Sequence, residues 1–103
     1  MTDLWTWSGQ YFGYLDGEDL CRSDGRHVGK CQRDDVFGPD GRYLCQVAFS
    51  NRLRVAKEDR LLRIDPFPRK ADRAARTPLP NRMPYTSIGG YEDLSPDFGT
   101  DAS

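Results

Sequence analysis

The side chains best suited to metal or nucleophilic chemistry are three cysteines and a single histidine, namely Cys21, Cys31, Cys45 and His27. Three cysteines and one histidine are an established ligand set for structural zinc. However, the sequence has no Cys-x-x-Cys pair, and Cys21 and Cys31 lie ten positions apart. The spacing therefore favours packing positions for the cysteines over a metal site or a disulfide. We expect no metal and no cofactor.

His27 is the only histidine, so any histidine-dependent acid–base mechanism must use it. Cys31 follows four positions later, which corresponds to about 13 Å in an extended strand. A nucleophile and its base must lie within hydrogen-bond reach of each other. The acidic pairs at 18–19 and 34–35 offer oxygen ligands for a hard cation, but turn chemistry explains them without one. We therefore predict no catalytic residues and no enzyme activity.

These residues belong to a sequence repeat of sixteen residues. The segment Asp-Gly-Arg-His-Val-Gly begins at Asp24, and Asp-Gly-Arg-Tyr-Leu-Cys begins at Asp40. In each repeat unit, apolar residues occupy a first position and the positions eight and eleven residues later. A fourth, weaker unit has the same internal spacing but begins one residue later than the sixteen-residue period requires. The anchors are Leu4/Phe12/Leu15, Leu20/Val28/Cys31, Val36/Leu44/Val47 and Leu53/Leu61/Ile64.

Each unit predicts a β-hairpin. Ser8-Gly9, Asp24-Gly25 and Asp40-Gly41 are suited to tight two-residue turns of the primed type. Polar connections at 16–19, 32–35 and 48–51 separate the units. An isolated hairpin is marginal in water, so the units must pack together. The sequence thus predicts an all-β fold of four hairpin repeats around a pseudo-fourfold axis, with about eight strands in residues 1–64.

The strand after each turn places equivalent side chains in rings, because alternate residues of a strand share one face. Tyr11, His27 and Tyr43 form one such ring. Repeated glycine on this face, at Gly13 and Gly29, predicts close backbone approach near the shared axis. The candidate residues for a ligand-binding hub are Trp5, Trp7, Tyr11, His27 and Tyr43. The opposite face is also apolar, so the pattern leaves open which face points inward.

The sequence resembles a known family, the small bacterial proteins described as 4-fold beta flower domains. The resemblance depends on Trp5, on 11–14 (Tyr-Phe-Gly-Tyr), on the two Asp-Gly-Arg segments at 24–29 and 38–44, and on 90–93 (Gly-Tyr-Glu-Asp). It implies four hairpins around a pseudo-fourfold axis. It implies no activity, because the family is named for its shape. The three cysteines depart from the family pattern.

The chain changes character after residue 64. Residues 52–82 contain ten basic and four acidic residues, a net charge of +6, although the whole chain has a net charge of -1. The proline-rich stretch 65–84 predicts an extended basic arm, with two helical turns at 70–76 as a weaker expectation. We expect a returning strand packed on the hairpins within 85–94 and a disordered tail at 95–103.

Composition excludes several classes of protein. The 103 residues allow at most one ordinary domain, and a mean hydropathy of -0.76 leaves a small core. No apolar run approaches the roughly 18 residues of a membrane span, and the first residues lack a signal-peptide pattern, so we expect a cytoplasmic protein.

Two functions remain open on the sequence alone. The first is a noncatalytic binding or interaction module for an unknown protein or small-molecule ligand. The alternative is association with nucleic acid through 52–82. The basic residues proposed for that role are Arg69, Lys70, Arg73, Arg76 and Arg82. Open hairpin edges also make a homo-oligomer possible.

Overall fold

The computed structural model describes residues 1–49, 51–86 and 89–94, and in this part of the chain the fold is all-β. The predicted fold class is therefore confirmed. A single 3-10 turn at Lys57–Asp59 follows the seventh strand. The strands are β1 (Thr2–Thr6), β2 (Tyr11–Asp16), β3 (Asp19–Arg22), β4 (His27–Gln32), β5 (Asp35–Phe37), β6 (Tyr43–Ala48), β7 (Arg52–Ala56) and β8 (Tyr91–Asp93).

The strands form one sheet that closes on itself. Strands β1 to β7 follow one another as an antiparallel meander. Strand β1 then pairs in parallel with β7 through Trp5↔Arg52 and Thr6↔Leu53, which closes a seven-stranded barrel. Strand β8 adds to β7 in antiparallel register. We call the pairs β1–β2, β3–β4, β5–β6 and β7–β8 hairpins 1 to 4.

The first three hairpins turn in the same way, but not with the predicted two-residue turn. Gly9, Gly25 and Gly41 have φ of +95°, +90° and +84°. Each donates its N–H to the carbonyl three residues earlier, at 2.8–2.9 Å. This is the pattern of a three-residue loop that ends in a left-handed glycine. The preceding Asp24 accepts a bond from the Arg26 amide at 3.0 Å, which explains why aspartate precedes the glycine.

The connections between hairpins also repeat. Gly17, Arg33 and Phe49 are sixteen residues apart, and all three have positive φ, at 59°, 59° and 51°. Two residues separate β2 from β3 and β4 from β5, whereas three separate β6 from β7. The additional residue explains why the fourth unit is out of phase in the sequence.

The eighth strand is not where the repeat places it. Leu61 is 88% exposed, and Ile64 lies outside any strand. Instead, β8 supplies the second strand of hairpin 4 and lies within 85–94, where the returning strand is expected. Gly90 has φ +87°, and its carbonyl accepts the Lys57 amide at 2.8 Å, as the Gln10 carbonyl accepts the Thr6 amide in hairpin 1.

The buried core of the barrel consists mainly of apolar anchors of the repeat, together with Cys45 and Leu94. The buried cluster is Leu4, Phe12, Leu20, Val28, Val36, Cys45, Leu53 and Leu94. Leu4, Leu20 and Val36 are all fully buried in it, as equivalent repeat positions require. Cys21 and Cys45 are buried and Cys31 is partly buried, and all three are free thiols. The packing positions predicted for Cys21 and Cys45 are confirmed.

Residues 64–86, which we call the strap, run over the turns of hairpins 3, 2 and 1 in that order. The strap has no assigned helix or strand, and its backbone is hydrogen-bonded to the turns of the barrel. The helical turns expected at 70–76 are absent from the structure, which assigns no helix there.

Three strap residues spaced nine apart make the same contact. The amides of Ile64, Arg73 and Arg82 donate to the carbonyls of the turn glycines Gly41, Gly25 and Gly9 at 2.7–2.9 Å. Three residues further along, the amides of Phe67, Arg76 and Tyr85 donate to the carbonyls of Pro39, Ser23 and Trp7 at 2.7–3.0 Å. The strap therefore carries its own nine-residue repeat, which matches the positions of the hairpins.

We predict that alanine at Gly25 destabilises the protein far more than alanine at Gly17. Both glycines have positive φ, so both variants incur the left-handed penalty of about 1–2 kcal/mol. A Cβ at Gly25 would also lie 1.8 Å from the Arg73 carbonyl oxygen, whereas none of the described atoms lies within 4 Å of a Cβ at Gly17. Lifting the strap breaks two hydrogen bonds worth about 1 kcal/mol each.

Urea denaturation should therefore show Gly25→Ala about 2 kcal/mol less stable than Gly17→Ala. Amide exchange should be faster at Arg73 and Arg76 in Gly25→Ala only. Equal losses of stability in the two variants would contradict the strap contact.

Candidate functional site

Of the proposed hub residues, Tyr11, His27 and Tyr43 are placed in separate surroundings. Tyr11 packs edge-on against Trp5 at 5.6 Å between ring centroids, and Tyr43 packs against Phe37 at 6.2 Å. His27 lies 6.2 Å from the Phe67 ring of the strap. The aromatic side chains of Tyr11, His27 and Tyr43 therefore each contact a different neighbour.

The two tryptophans hold the strap. Trp5 donates its Nε1–H to the Pro80 carbonyl at 3.0 Å, and Trp7 donates to the Thr86 carbonyl at 2.9 Å. The Arg82 guanidinium lies 3.7 Å from the Trp5 ring centroid. These contacts assign both tryptophans to the attachment of the strap.

The repeated glycines make the close backbone approach that the sequence predicts, and the backbone that they approach belongs to the neighbouring hairpin. A Cβ at Gly13 would lie 2.0 Å from the Cys21 carbonyl oxygen, and a Cβ at Gly29 would lie 2.6 Å from the Phe37 carbonyl oxygen. Glycine at these positions allows β2 and β4 to lie close to the next hairpin along the chain.

An acidic residue is paired with each ring residue, eight positions earlier. The pairs are Asp3/Tyr11, Asp19/His27 and Asp35/Tyr43. In hairpin 1, the Tyr11 hydroxyl donates to Asp3 Oδ1 at 2.9 Å, and burial together with this bond raises the pKa of Tyr11 to about 12. In hairpin 3, burial raises the pKa of Tyr43 to about 12, and its hydroxyl accepts the Ala56 amide at 3.1 Å.

Hairpin 2 differs because histidine replaces tyrosine. The imidazole is shorter, and its Nε2 stops 3.6 Å from Asp19 Oδ1, beyond hydrogen-bond distance. The His27 side chain is only 1% exposed. Within the described part of the chain, Nε2 has no hydrogen-bond partner.

The strap fixes the proton on His27. The Lys70 amide donates to Nδ1 at 2.9 Å, so Nδ1 is the acceptor and the neutral ring carries its proton on Nε2. Burial lowers the pKa of His27, although the nearby Asp19 carboxylate and the backbone of Gly29 oppose the shift. His27 is therefore a neutral imidazole at pH 7 with a buried N–H facing Asp19.

Asp19 is bound by two cations of the strap. Its Oδ2 accepts from Lys70 Nζ at 2.7 Å and from an Arg73 guanidinium nitrogen at 3.0 Å. The Asp19 side chain is 9% exposed. A buried carboxylate with two cationic partners is well compensated.

A cavity of about 230 Å³ lies between hairpin 2 and the strap. His27 and Asp19 form its buried end, and Phe67 lies on the strap side. Lys30, from β4, places its ammonium 3.8 Å from Glu18 and 5.8 Å from the Phe67 ring centroid. The lining residues are Glu18, Asp19, His27, Lys30, Phe67, Pro68, Arg69 and Lys70.

The basic residues proposed for nucleic acid each have a partner within the chain. Arg69 pairs with Asp72 at 2.7 Å, and Lys70 pairs with Asp19. Arg73 bridges Asp16 and Asp19. Arg76 lies 3.8 Å from Asp3 and over the Tyr14 ring, and Arg82 stacks on Trp5.

The thiols are held in their protonated form. Burial raises the pKa of Cys21, Cys31 and Cys45. The described residues contain no group of three His, Cys, Asp or Glu side chains that could hold a metal ion.

Sequence reasoning identified His27 but missed Asp19, Lys30 and Phe67 as residues of the cavity. The sixteen-residue spacing of Asp3, Asp19 and Asp35 was the available signal for Asp19. Phe67 had no comparable signal, because its position depends on where the strap crosses hairpin 3.

No protein-family model, curated protein or solved structure matches this chain in the comparisons with known proteins. Within residues 1–49, 51–86 and 89–94, no helix is long and apolar enough to cross a membrane.

We predict that His27 makes the protein less stable as the pH falls below about 6.5. The folded state keeps His27 neutral because burial lowers its pKa, whereas the unfolded state takes up a proton near pH 6.5. The stabilisation that the neutral His27 contributes is therefore fully present above that pH. It is lost as the pH falls towards the pKa of His27 in the folded state, and the free energy of unfolding then decreases by up to about 1.4 kcal/mol per pH unit.

The control is His27→Asn, whose side-chain oxygen can still accept the Lys70 amide. Free energies of unfolding measured from pH 7.5 to 5 should fall more steeply for the wild type than for the variant, since the carboxylates are common to both. Parallel profiles would show that Asp19 cancels the effect of burial, and a wild type that gains stability in acid relative to the variant would show that Asp19 outweighs it; either result would contradict the prediction.

Proposed function

We propose that this protein is a noncatalytic binding module that holds a small ligand in the cavity between hairpin 2 and the strap. The ligand would contact His27, Lys30 and Phe67. The rest of the barrel and the strap would act as the rigid support that forms this cavity.

The observation that carries the proposal is the unpartnered Nε2–H of His27. Buried polar groups are normally hydrogen-bonded, and each exception calls for an explanation. An unsatisfied buried donor costs about 1–3 kcal/mol. A ligand in the adjoining cavity with an acceptor atom would satisfy this donor once the groups that shield Nε2 from solvent move aside.

The chemistry of the cavity supports binding over catalysis. The residues that line it provide cationic, acidic and apolar groups but neither a hydroxyl nor a thiol. Cys21 and Cys45 are buried, and burial raises their pKa values, which disfavours the nucleophilic thiolate.

Membership of the 4-fold beta flower family is part of the same proposal. It is supported by four hairpins with a left-handed glycine at or next to each turn, at Gly9, Gly25, Gly41 and Gly90. It is also supported by the equivalent burial of Leu4, Leu20 and Val36.

Association with nucleic acid through 52–82 is the alternative function. The net charge of +6 on residues 52–82 favours binding to a polyanion. However, the five proposed residues would have to leave carboxylates or aromatic rings of the same chain to contact phosphates. This competition favours the small-ligand proposal.

We predict that His27→Tyr abolishes ligand binding without unfolding the protein. The new hydroxyl should reach Asp19 as the Tyr11 hydroxyl reaches Asp3, which removes the free donor, and the larger ring should take up part of the cavity. Loss of the Lys70 bond to Nδ1 offsets part of this gain, so we expect a stability change within about 1 kcal/mol.

The measurement is an amide NMR titration of the labelled protein with benzoate, acetate, benzyl alcohol and benzylamine in turn. At least one probe should shift the amide signals of His27, Lys30 and Lys70 in the wild type. The same shifts should persist in Tyr11→Phe, which alters the equivalent pair in hairpin 1, and should disappear in His27→Tyr. If none of the probes shifts these signals in the wild type, the proposed function is wrong.

The nucleic-acid alternative predicts a different result. Fluorescence anisotropy with a labelled single-stranded DNA at about 50 mM salt should show weak or no binding if the strap cations stay paired. Tight binding that falls steeply with salt, and that weakens in Arg69→Gln, would favour the alternative.

A further inference from the structure

We infer that the ligand of the His27 cavity is a small carboxylate with a flat apolar body, such as a single-ring aromatic acid. This inference rests on the proposed function and specifies the class of ligand at the same site. It follows from the direction of the free hydrogen bond, the charges around the cavity and the nature of its wall.

The direction of the hydrogen bond requires an acceptor. The Lys70 amide already donates to Nδ1 of His27, so the ring presents a donor at Nε2. A carboxylate oxygen that accepts from a buried N–H forms a stronger bond than a neutral acceptor does. An amine or other cation has no lone pair to offer in its charged form.

The charges favour an anion over a cation. Asp19 is already neutralised by Lys70 and Arg73, which bind the same carboxylate oxygen. Lys30 is paired with Glu18 at 3.8 Å, and this glutamate is more than half exposed. Exposed pairs of this kind contribute little and rearrange easily, so the Lys30 ammonium is available to an incoming carboxylate.

The wall and size of the cavity favour a ring. Phe67 and Pro68 supply an apolar surface on the strap side, and the Lys30 ammonium already lies 5.8 Å from the Phe67 centroid. A volume near 230 Å³ has room for several water molecules. This space fits a single-ring acid lying against Phe67 with its carboxylate between His27 and Lys30.

The test compares four probes that separate charge from shape. Benzoate carries both the ring and the carboxylate, acetate carries the charge alone, benzyl alcohol carries the ring alone, and benzylamine carries the ring with the opposite charge. We expect benzoate to bind with a Kd of about 0.1–1 mM and each of the other three to bind at least tenfold more weakly. In spectra of the histidine side chain, benzoate should shift the Nε2–H signal of His27.

Lys30→Met tests the cation directly, because the variant keeps the apolar stem and removes the charge. It should weaken benzoate about tenfold and leave benzyl alcohol unchanged. The matched control is Lys57→Met, since Lys57 also lies 3.8 Å from a glutamate, Glu92, outside the cavity. This control should bind benzoate as the wild type does.

The outcomes separate the two proposals. If none of the four probes binds, the proposed function fails and the ligand class fails with it. If benzylamine or benzyl alcohol binds at the cavity as tightly as benzoate, binding stands and the carboxylate class is overturned. If acetate matches benzoate, the flat apolar body is overturned. An equal effect of Lys30→Met and Lys57→Met on benzoate would remove Lys30 from the site.

Discussion

The structure depends on a close contact between two backbones, in which the strap crosses the turn glycines. At Gly9, Gly25 and Gly41 the strap carbonyl lies where a Cβ atom would be, and the strap amide binds the glycine carbonyl. Only glycine offers both the positive φ and the space. These contacts place Phe67 and Lys70 over hairpin 2, and the cavity exists because the strap is held there.

The sequence predicts the barrel better than the strap, for a physical reason. Turn glycines and alternating apolar anchors are local signals, and they gave the three hairpins and the buried positions Leu4, Leu20 and Val36. The position of the eighth strand and the path of the strap depend on contacts between residues far apart in the chain. Ile64, Arg73 and Arg82 are nine residues apart and make the same contact, but their side chains differ. The contact uses backbone atoms, so it does not require a particular residue type and is not visible in the sequence.

In the candidate site, too, only the residues with a local sequence signal could be predicted. His27 could be selected because it breaks a ring of tyrosines, and it lines the cavity. In hairpin 1 a hydroxyl reaches the aspartate eight positions earlier, whereas in hairpin 2 the imidazole Nε2 lies 3.6 Å from Asp19 Oδ1, beyond hydrogen-bond distance. The partners of Asp19 are strap cations that no local pattern predicts. The one departure from the tyrosine pattern thus coincides with the cavity.

The reversed path of the strap has a consequence for how the molecule assembles. Residues 57–90 separate the two strands of hairpin 4, so β8 reaches β7 only after the intervening chain has crossed the other three hairpins. Closing so long a loop is entropically unfavourable, and the strap contacts can reduce this cost by fixing the path in successive steps. Pairing of β8 with β7 is therefore expected late in folding. The stability of the first seven strands is then expected to depend in part on β8.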